Sequence, residues 1–84
     1  MARVLVIDDE ISIREVICER TRQMGHEAEA AQTLEQGRAM ASSGAFDLVF
    51  LDVRLPDGDG LKSIAEMKTL PSAPEVIIIT GVAD

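Results

Sequence analysis

Three short apolar runs punctuate the chain: Val4–Ile7, Leu48–Leu51 and Val76–Ile79, each of four consecutive hydrophobic residues. That length suits a strand, and the lack of alternation predicts strands covered on both faces, as in a parallel sheet between helix layers. Between the first two runs, Ile11 to Met24 carries apolar residues at 13, 16, 17 and 24, a partial helical stripe. Gly25 is placed to end that helix in the left-handed conformation. Glu27 to Ala31 interleaves Glu and Ala, which predicts a weaker strand at a sheet edge. Thr33-Leu-Glu-Gln36 has the capping-box pattern, in which hydroxyl and amide side chains take up free N–H groups. The helix that follows would turn Leu34, Met40 and Ala41 inward and end near Gly44. Pro56-Asp-Gly-Asp-Gly60 is a turn by composition. Leu61 to Leu70 reads as a third helix, with Leu61, Ile64, Ala65 and Met67 at helical spacing, closed by Pro71 and Pro74. The order β-α-β-α-β-α-β implies an α/β fold, a parallel sheet with right-handed crossovers and helices on both faces.

Composition narrows the class. The 84 residues form one domain, 1–84, with 46% hydrophobic residues for a core; a domain this small buries roughly 60–65% of its unfolded surface. No stretch approaches the ~20 apolar residues of a membrane helix. A net charge of −7 argues against nucleic-acid contact by this segment, since phosphate binding needs clustered Lys and Arg. The single cysteine, Cys18, excludes an internal disulfide and a CxxC site. A strand starting directly after Met1-Ala-Arg leaves no room for a secretory signal, so a cytoplasmic location is expected. Val76–Ile79 is apolar on both faces yet would be the last strand, which implies a fragment or an open edge covered by a partner.

Each apolar run ends in an oxygen-bearing side chain. Ile7 is followed by Asp8-Asp9-Glu10, Leu51 by Asp52, and Ile79 by Thr80. In open α/β sheets, ligands bind at the carboxyl ends of strands. Carboxylates gathered there repel one another unless a cation neutralises them, and a hard divalent ion with oxygen ligands does so. The plainer alternative is that Asp8 or Asp9 caps the first helix. For Thr80, capping the segment after the strand is an equal alternative. Asp57-Gly-Asp-Gly60 with Glu66 partly matches a calcium loop, but Leu55 falls at its first ligand position and Pro56 follows. Cys18 reads as a small core or boundary residue and His26 as a surface residue. Ile13, Ile17 and Met24 read as core, which leaves Arg14, Cys18 and Thr21 on the exposed face.

Val4-Leu-Val-Ile-Asp-Asp-Glu10, Leu51-Asp-Val-Arg-Leu-Pro-Asp-Gly-Asp-Gly-Leu61 and Ile77-Ile-Ile-Thr-Gly81 together resemble the receiver domain of two-component response regulators, in residue type, order and spacing. The resemblance spans the chain. It implies a flavodoxin-like fold with strand order 2-1-3-4-5 and a role as phosphorelay receiver. Asp52 would accept a phosphoryl group from the phosphohistidine of a sensor histidine kinase. Asp9 would bind Mg²⁺ directly, Asp8 would hold its water shell, and Asp52 and the backbone carbonyl of Arg54 would complete the protein ligands. Thr80 would donate its hydroxyl to the phosphate and act as the switch. Phosphorylation would regulate a linked or partner output domain, often in transcription, and the first helix would help dock the kinase. The ending Ile79-Thr-Gly-Val-Ala-Asp84 looks like receivers attached to sigma-54-dependent activators.

One departure stands out. The family's fifth-strand lysine and aromatic residue have no counterpart here, because the chain stops after the fourth strand. Two other classes stay open beside the phosphoacceptor: a receiver-like module that works by docking or homodimerisation without phosphorylation, and a phosphatase of the haloacid-dehalogenase type. The latter calls for Asp-x-Asp, which Asp8-Asp9-Glu10 does not supply.

Overall fold

The computed structural model describes residues 1–52 and 60–79. Its elements are β1 (Arg3–Ile7), α1 (Ile11–Gln23), β2 (Glu27–Ala31), α2 (Leu34–Ser43), β3 (Leu48–Asp52), α3 (Gly60–Lys68) and β4 (Glu75–Ile79). All strand pairs are parallel, in the order β2-β1-β3-β4. The alternating Glu-Ala strand lies at one edge, as its half-polar pattern predicts, with Ala28 and Ala31 buried and Glu27 and Glu29 exposed. At the other edge, the described sheet ends at β4, where Ile77 and Ile78 are 44% and 46% exposed on opposite faces.

The period of two in the strands splits the core into two layers. Leu5 and Ile7 of β1 and Val49 and Leu51 of β3 face α2 and α3, packing with Leu34, Ala41, Phe46 and Met67. Val4 and Val6 face α1 and pack with Cys18, Ala28, Ile17 and Phe50. Gly37 lets α2 approach closely: a Cβ there would stand 2.6 Å from Ile7 Cγ1. Thr33 caps α2, its hydroxyl accepting the Gln36 N–H at 3.1 Å. The returning Gln36 amide oxygen accepts the N–H of Gln32 at 3.0 Å, one residue earlier than a capping box requires. α2 carries Leu34, Met40 and Ala41 inward and stops before Gly44, as its pattern predicts.

The first helix departs from the expected face. Ile13 and Met24 are exposed, whereas Cys18 and Thr21 are buried and Arg14 and Ile17 are half-buried. The sheet-facing stripe is therefore Arg14-Ile17-Cys18-Thr21, spaced i, i+3, i+4, i+7. Small side chains let the helix sit close to Val4, Val6 and Ala28, and the Thr21 hydroxyl is satisfied by the Ile17 carbonyl at 2.7 Å. Met24 lies beyond the last turn as the C-cap, and Gly25 follows with φ +89°. In α3, Met67 is buried and Ile64 packs on the core as expected, but Leu61 and Ala65 are exposed and Gly60 and Ser63 are buried in their place. His26 is half-buried, its Nδ1 accepting the Ala2 N–H at 2.9 Å.

Asp47 sets the register on which the site depends. Its N–H donates to the Arg3 carbonyl at 2.8 Å and its Oδ2 accepts the Arg3 N–H at 2.8 Å, while its carbonyl accepts the Glu75 N–H at 3.0 Å. The starts of β1, β3 and β4 are thereby aligned, so their carboxyl ends finish level.

Candidate functional site

At those carboxyl ends the register pairs Ile7 of β1 with Leu51 of β3. One residue further on in each strand stand Asp8 and Asp52, 4% and 7% exposed. Asp9 is exposed beside them. One carboxylate oxygen from each of the three lies within 4.8 Å of the others. The three acids that the apolar runs single out are thus brought together by adjacent parallel strands.

Helix capping does not account for them. The N-cap of α1 is Glu10, and its side chain makes no capping hydrogen bond. Asp8 instead accepts the Glu10 N–H on its Oδ1 at 2.8 Å. Burial pushes the Asp8 carboxyl above its ordinary pKa, and the neighbouring Asp52 and Asp9 charges push the same way. The Glu10 N–H and the Arg14 guanidinium oppose the rise without reversing it. A buried acid whose charge is disfavoured by two more acids wants a cation. Three carboxylate oxygens at this separation suit a hard divalent ion, which takes a few carboxylates and completes its shell with water or phosphate oxygens.

Arg54 and Thr80, which the resemblance assigns as a carbonyl ligand and the switch hydroxyl, lie outside the described residues, as does the Asp57-Gly-Asp turn. Arg14 was not among the expected site residues, yet it reaches the same loop: its Nη1 donates to the Asp8 carbonyl at 2.9 Å. Its position gives a signal that could have found it. Four residues after the N-cap, one helical turn on, a long side chain can fold back over the strand-to-helix loop.

A family model described as response regulator receiver domain matches residues 4–84. The chain belongs to the response regulator receiver family. Among curated relatives it is 32% identical over 78 residues to the KDP operon transcriptional regulatory protein KdpE of Escherichia coli K12, covering 93% of this chain and 35% of KdpE. It is 34% identical over 78 residues to the transcriptional regulatory protein ZraR of the same strain, covering 93% of this chain and 18% of ZraR. The chain therefore spans 35% or less of the length of these regulators.

Solved structures agree with the fold. A CheY-like receiver domain from Methanospirillum hungatei superposes with a TM-score of 0.90 at 28% identity, covering all of this chain and 67% of that one. The response regulator TrrA of Thermotoga maritima, in complex with Mg²⁺ and beryllium fluoride, gives 0.87 at 34% identity, covering 99% and 72%. TrrA in complex with the histidine kinase ThkA gives 0.85 at 33% identity, covering 100% and 72%. The receiver's flavodoxin-like sheet is present here as four parallel strands with helices on both faces. No helix among the described residues is long and apolar enough to cross a membrane.

Proposed function

We propose that this receiver domain is a phosphoacceptor in a two-component phosphorelay, modified on Asp52 in a Mg²⁺-dependent reaction. The observation that carries the reading is the convergence of Asp8, Asp9 and Asp52 at the carboxyl ends of two adjacent strands, within 4.8 Å of one another, in a chain of this family. Asp8, Asp9 and Asp52 would hold the ion, with the Arg54 carbonyl as a further ligand. Bound there, Mg²⁺ supplies positive charge against the transferring phosphoryl oxygens.

The chain's own part is positioning. An Asp52 carboxylate oxygen attacks the phosphorus of a phosphohistidine; the P–N bond breaks, its electron pair returns to the imidazole, and an acyl phosphate forms. Asp52 sits at the end of a strand hydrogen-bonded on both sides, so its carboxylate is presented with little freedom to lose. Thr80 would meet the added phosphate with its hydroxyl and carry the change to the segment that follows it. The domain is a regulatory phosphoacceptor, whose chemistry is at most self-catalysed phosphotransfer and dephosphorylation. Its donor is a sensor histidine kinase, a reading supported by the TrrA–ThkA complex. Its output is a domain outside this chain, in line with the transcriptional regulators it resembles, and its place is the cytoplasm.

Intact-protein mass after incubation with acetyl phosphate tests the reading, with and without Mg²⁺, beside Asp52→Asn. One phosphoryl adduct, on wild type and only with Mg²⁺, is the expected result. No adduct on the whole protein under any condition overturns it and leaves a docking or dimerisation module.

A further inference from the structure

The loop that carries Asp8 and Asp9 is tied at three points around one residue. The Asp8 N–H donates to the Ala31 carbonyl of β2 at 3.1 Å. Its Oδ1 accepts the Glu10 N–H at 2.8 Å. Its own carbonyl accepts from Arg14 Nη1 at 2.9 Å. The first tie extends the sheet and the second is local. The third is a long, half-buried side chain that reaches back six residues to the backbone between the two acids.

Arg14 has two opposed effects on a cation approaching these carboxylates. Its charge repels the ion, whereas its hydrogen bond fixes the peptide that joins Asp8 to Asp9. The geometry favours the second effect. The hydrogen bond of the guanidinium goes to a carbonyl, which leaves the Asp8 carboxylate to a metal. Among the groups acting on the Asp8 carboxyl, Arg14 has the smallest influence. Groups that hold metal ligands in place, without touching the metal, commonly change affinity by about 10–100-fold when removed.

We infer that Arg14 is a positioning residue for the divalent cation, its tether to the Asp8 carbonyl outweighing its charge. The inference rests on the proposed metal site and deepens it. It also explains why an arginine, a poor choice beside a cation site on charge alone, occupies the sheet-facing stripe of α1.

The test is calorimetric titration of Mg²⁺ alone into the whole protein, comparing wild type, Arg14→Met and Arg14→Lys. Methionine keeps an unbranched stem without charge or donor, and lysine keeps the charge as a compact ammonium with three rotatable donors. Arg14→Met is expected to bind Mg²⁺ about tenfold more weakly, with its far-ultraviolet helix signal retained. Arg14→Lys is expected to fall between, roughly threefold weaker than wild type, because its freely rotating ammonium on a flexible stem orients the hydrogen bond less firmly than a planar guanidinium. Unchanged or tighter binding by Arg14→Met would overturn the inference and leave Arg14 as a counter-charge only. If the methionine variant does not fold, the lysine variant decides: weaker binding supports the tether, and unchanged binding overturns it. Wild type that takes up no Mg²⁺ would sink the metal site itself, a failure distinct from a wild type that binds and a variant that binds equally.

Discussion

Replacing Asp8 by Asn separates what the acid costs the fold from what it does for the metal. The two buried acids, Asp8 and Asp52, have carboxylate oxygens within 4.8 Å of each other. At an effective dielectric constant of about 20, two unit charges at that distance repel by about 3.5 kcal/mol. Asp8→Asn removes this repulsion and the cost of burying a charge, and loses the weaker attraction to Arg14. The amide oxygen of Asn can still accept the Glu10 N–H. The net gain expected without metal at neutral pH is therefore about 1–3 kcal/mol, or roughly 5–15 °C in Tm for a domain of this size.

The pH dependence has a definite sign. The Asp8 carboxyl titrates higher in the folded chain than in the unfolded one. Between the two pKa values the native state holds the proton that the unfolded state has released, so stability falls as pH rises through that window. Below it, Asp8 is neutral in both states and the advantage of Asn vanishes; above the native pKa the advantage is complete. Thermal melts of wild type and Asp8→Asn from pH 3 to 7 in EDTA, repeated with Mg²⁺, measure this. The ion stabilises whatever it binds, by about 2.7 kcal/mol at a hundred times its Kd, so Mg²⁺ should raise wild type far more than the variant and close or reverse the gap. Two outcomes would refute the reasoning: a variant less stable than wild type in EDTA at pH 7, or equal gains from Mg²⁺.

Two further predictions concern the frame. Gly37→Ala would drive a Cβ to 2.6 Å from Ile7 Cγ1, on a fully buried, β-branched side chain that cannot swing aside; overpacking of about 1–3 kcal/mol against a helix-propensity gain of at most about 1 predicts a net loss of about 1–2 kcal/mol in urea denaturation, and a gain would disprove the close approach of α2 to β1. Ala73 adopts φ +42° just before Pro74, so Ala73→Gly should raise stability by about 0.5–1 kcal/mol; a lower Tm would show that no strain resides there.

The sequence made the strands and their ends legible because both signals are local. Four apolar residues and then an acid mark a strand's length, its burial and its mouth, and parallel pairing needs only the crossover pattern to bring two such mouths together. The meeting of Asp8, Asp9 and Asp52 is legible in this way. The faces of α1 and α3 were legible only in part: Ile17, Ile64 and Met67 pack inward as their spacing predicts, but the rest of each face does not follow hydrophobicity, for a physical reason. A helix lying close to a sheet presents small residues, so Cys18 and Thr21 in α1 and Gly60 and Ser63 in α3 go inward while Ile13 and Leu61 stay out. Hydrophobicity ranks these residues in the opposite order, so the apolar stripe pointed to the wrong sector. Arg14 was hidden by the same error, since a face taken as outward leaves no reason to look for a contact with the strand-end loop.

The hidden face connects the two halves of the molecule's chemistry. Because α1 turns Arg14 and not Ile13 toward the sheet, its first turn is tied to the loop that carries the acids. The tether predicts coupling between them: a change at the carboxylates should be felt at the start of α1, and a partner pressing on α1 should be felt at the carboxylates. Ile11 and Val16, both exposed beside that turn, are where such a partner would press. Coupling of this kind is reciprocal in free energy. A macromolecule that binds the start of α1 and changes Mg²⁺ affinity must therefore have its own affinity changed by Mg²⁺ to the same factor. Arg14→Met should weaken both directions together, which a simple loss of contact area would not do.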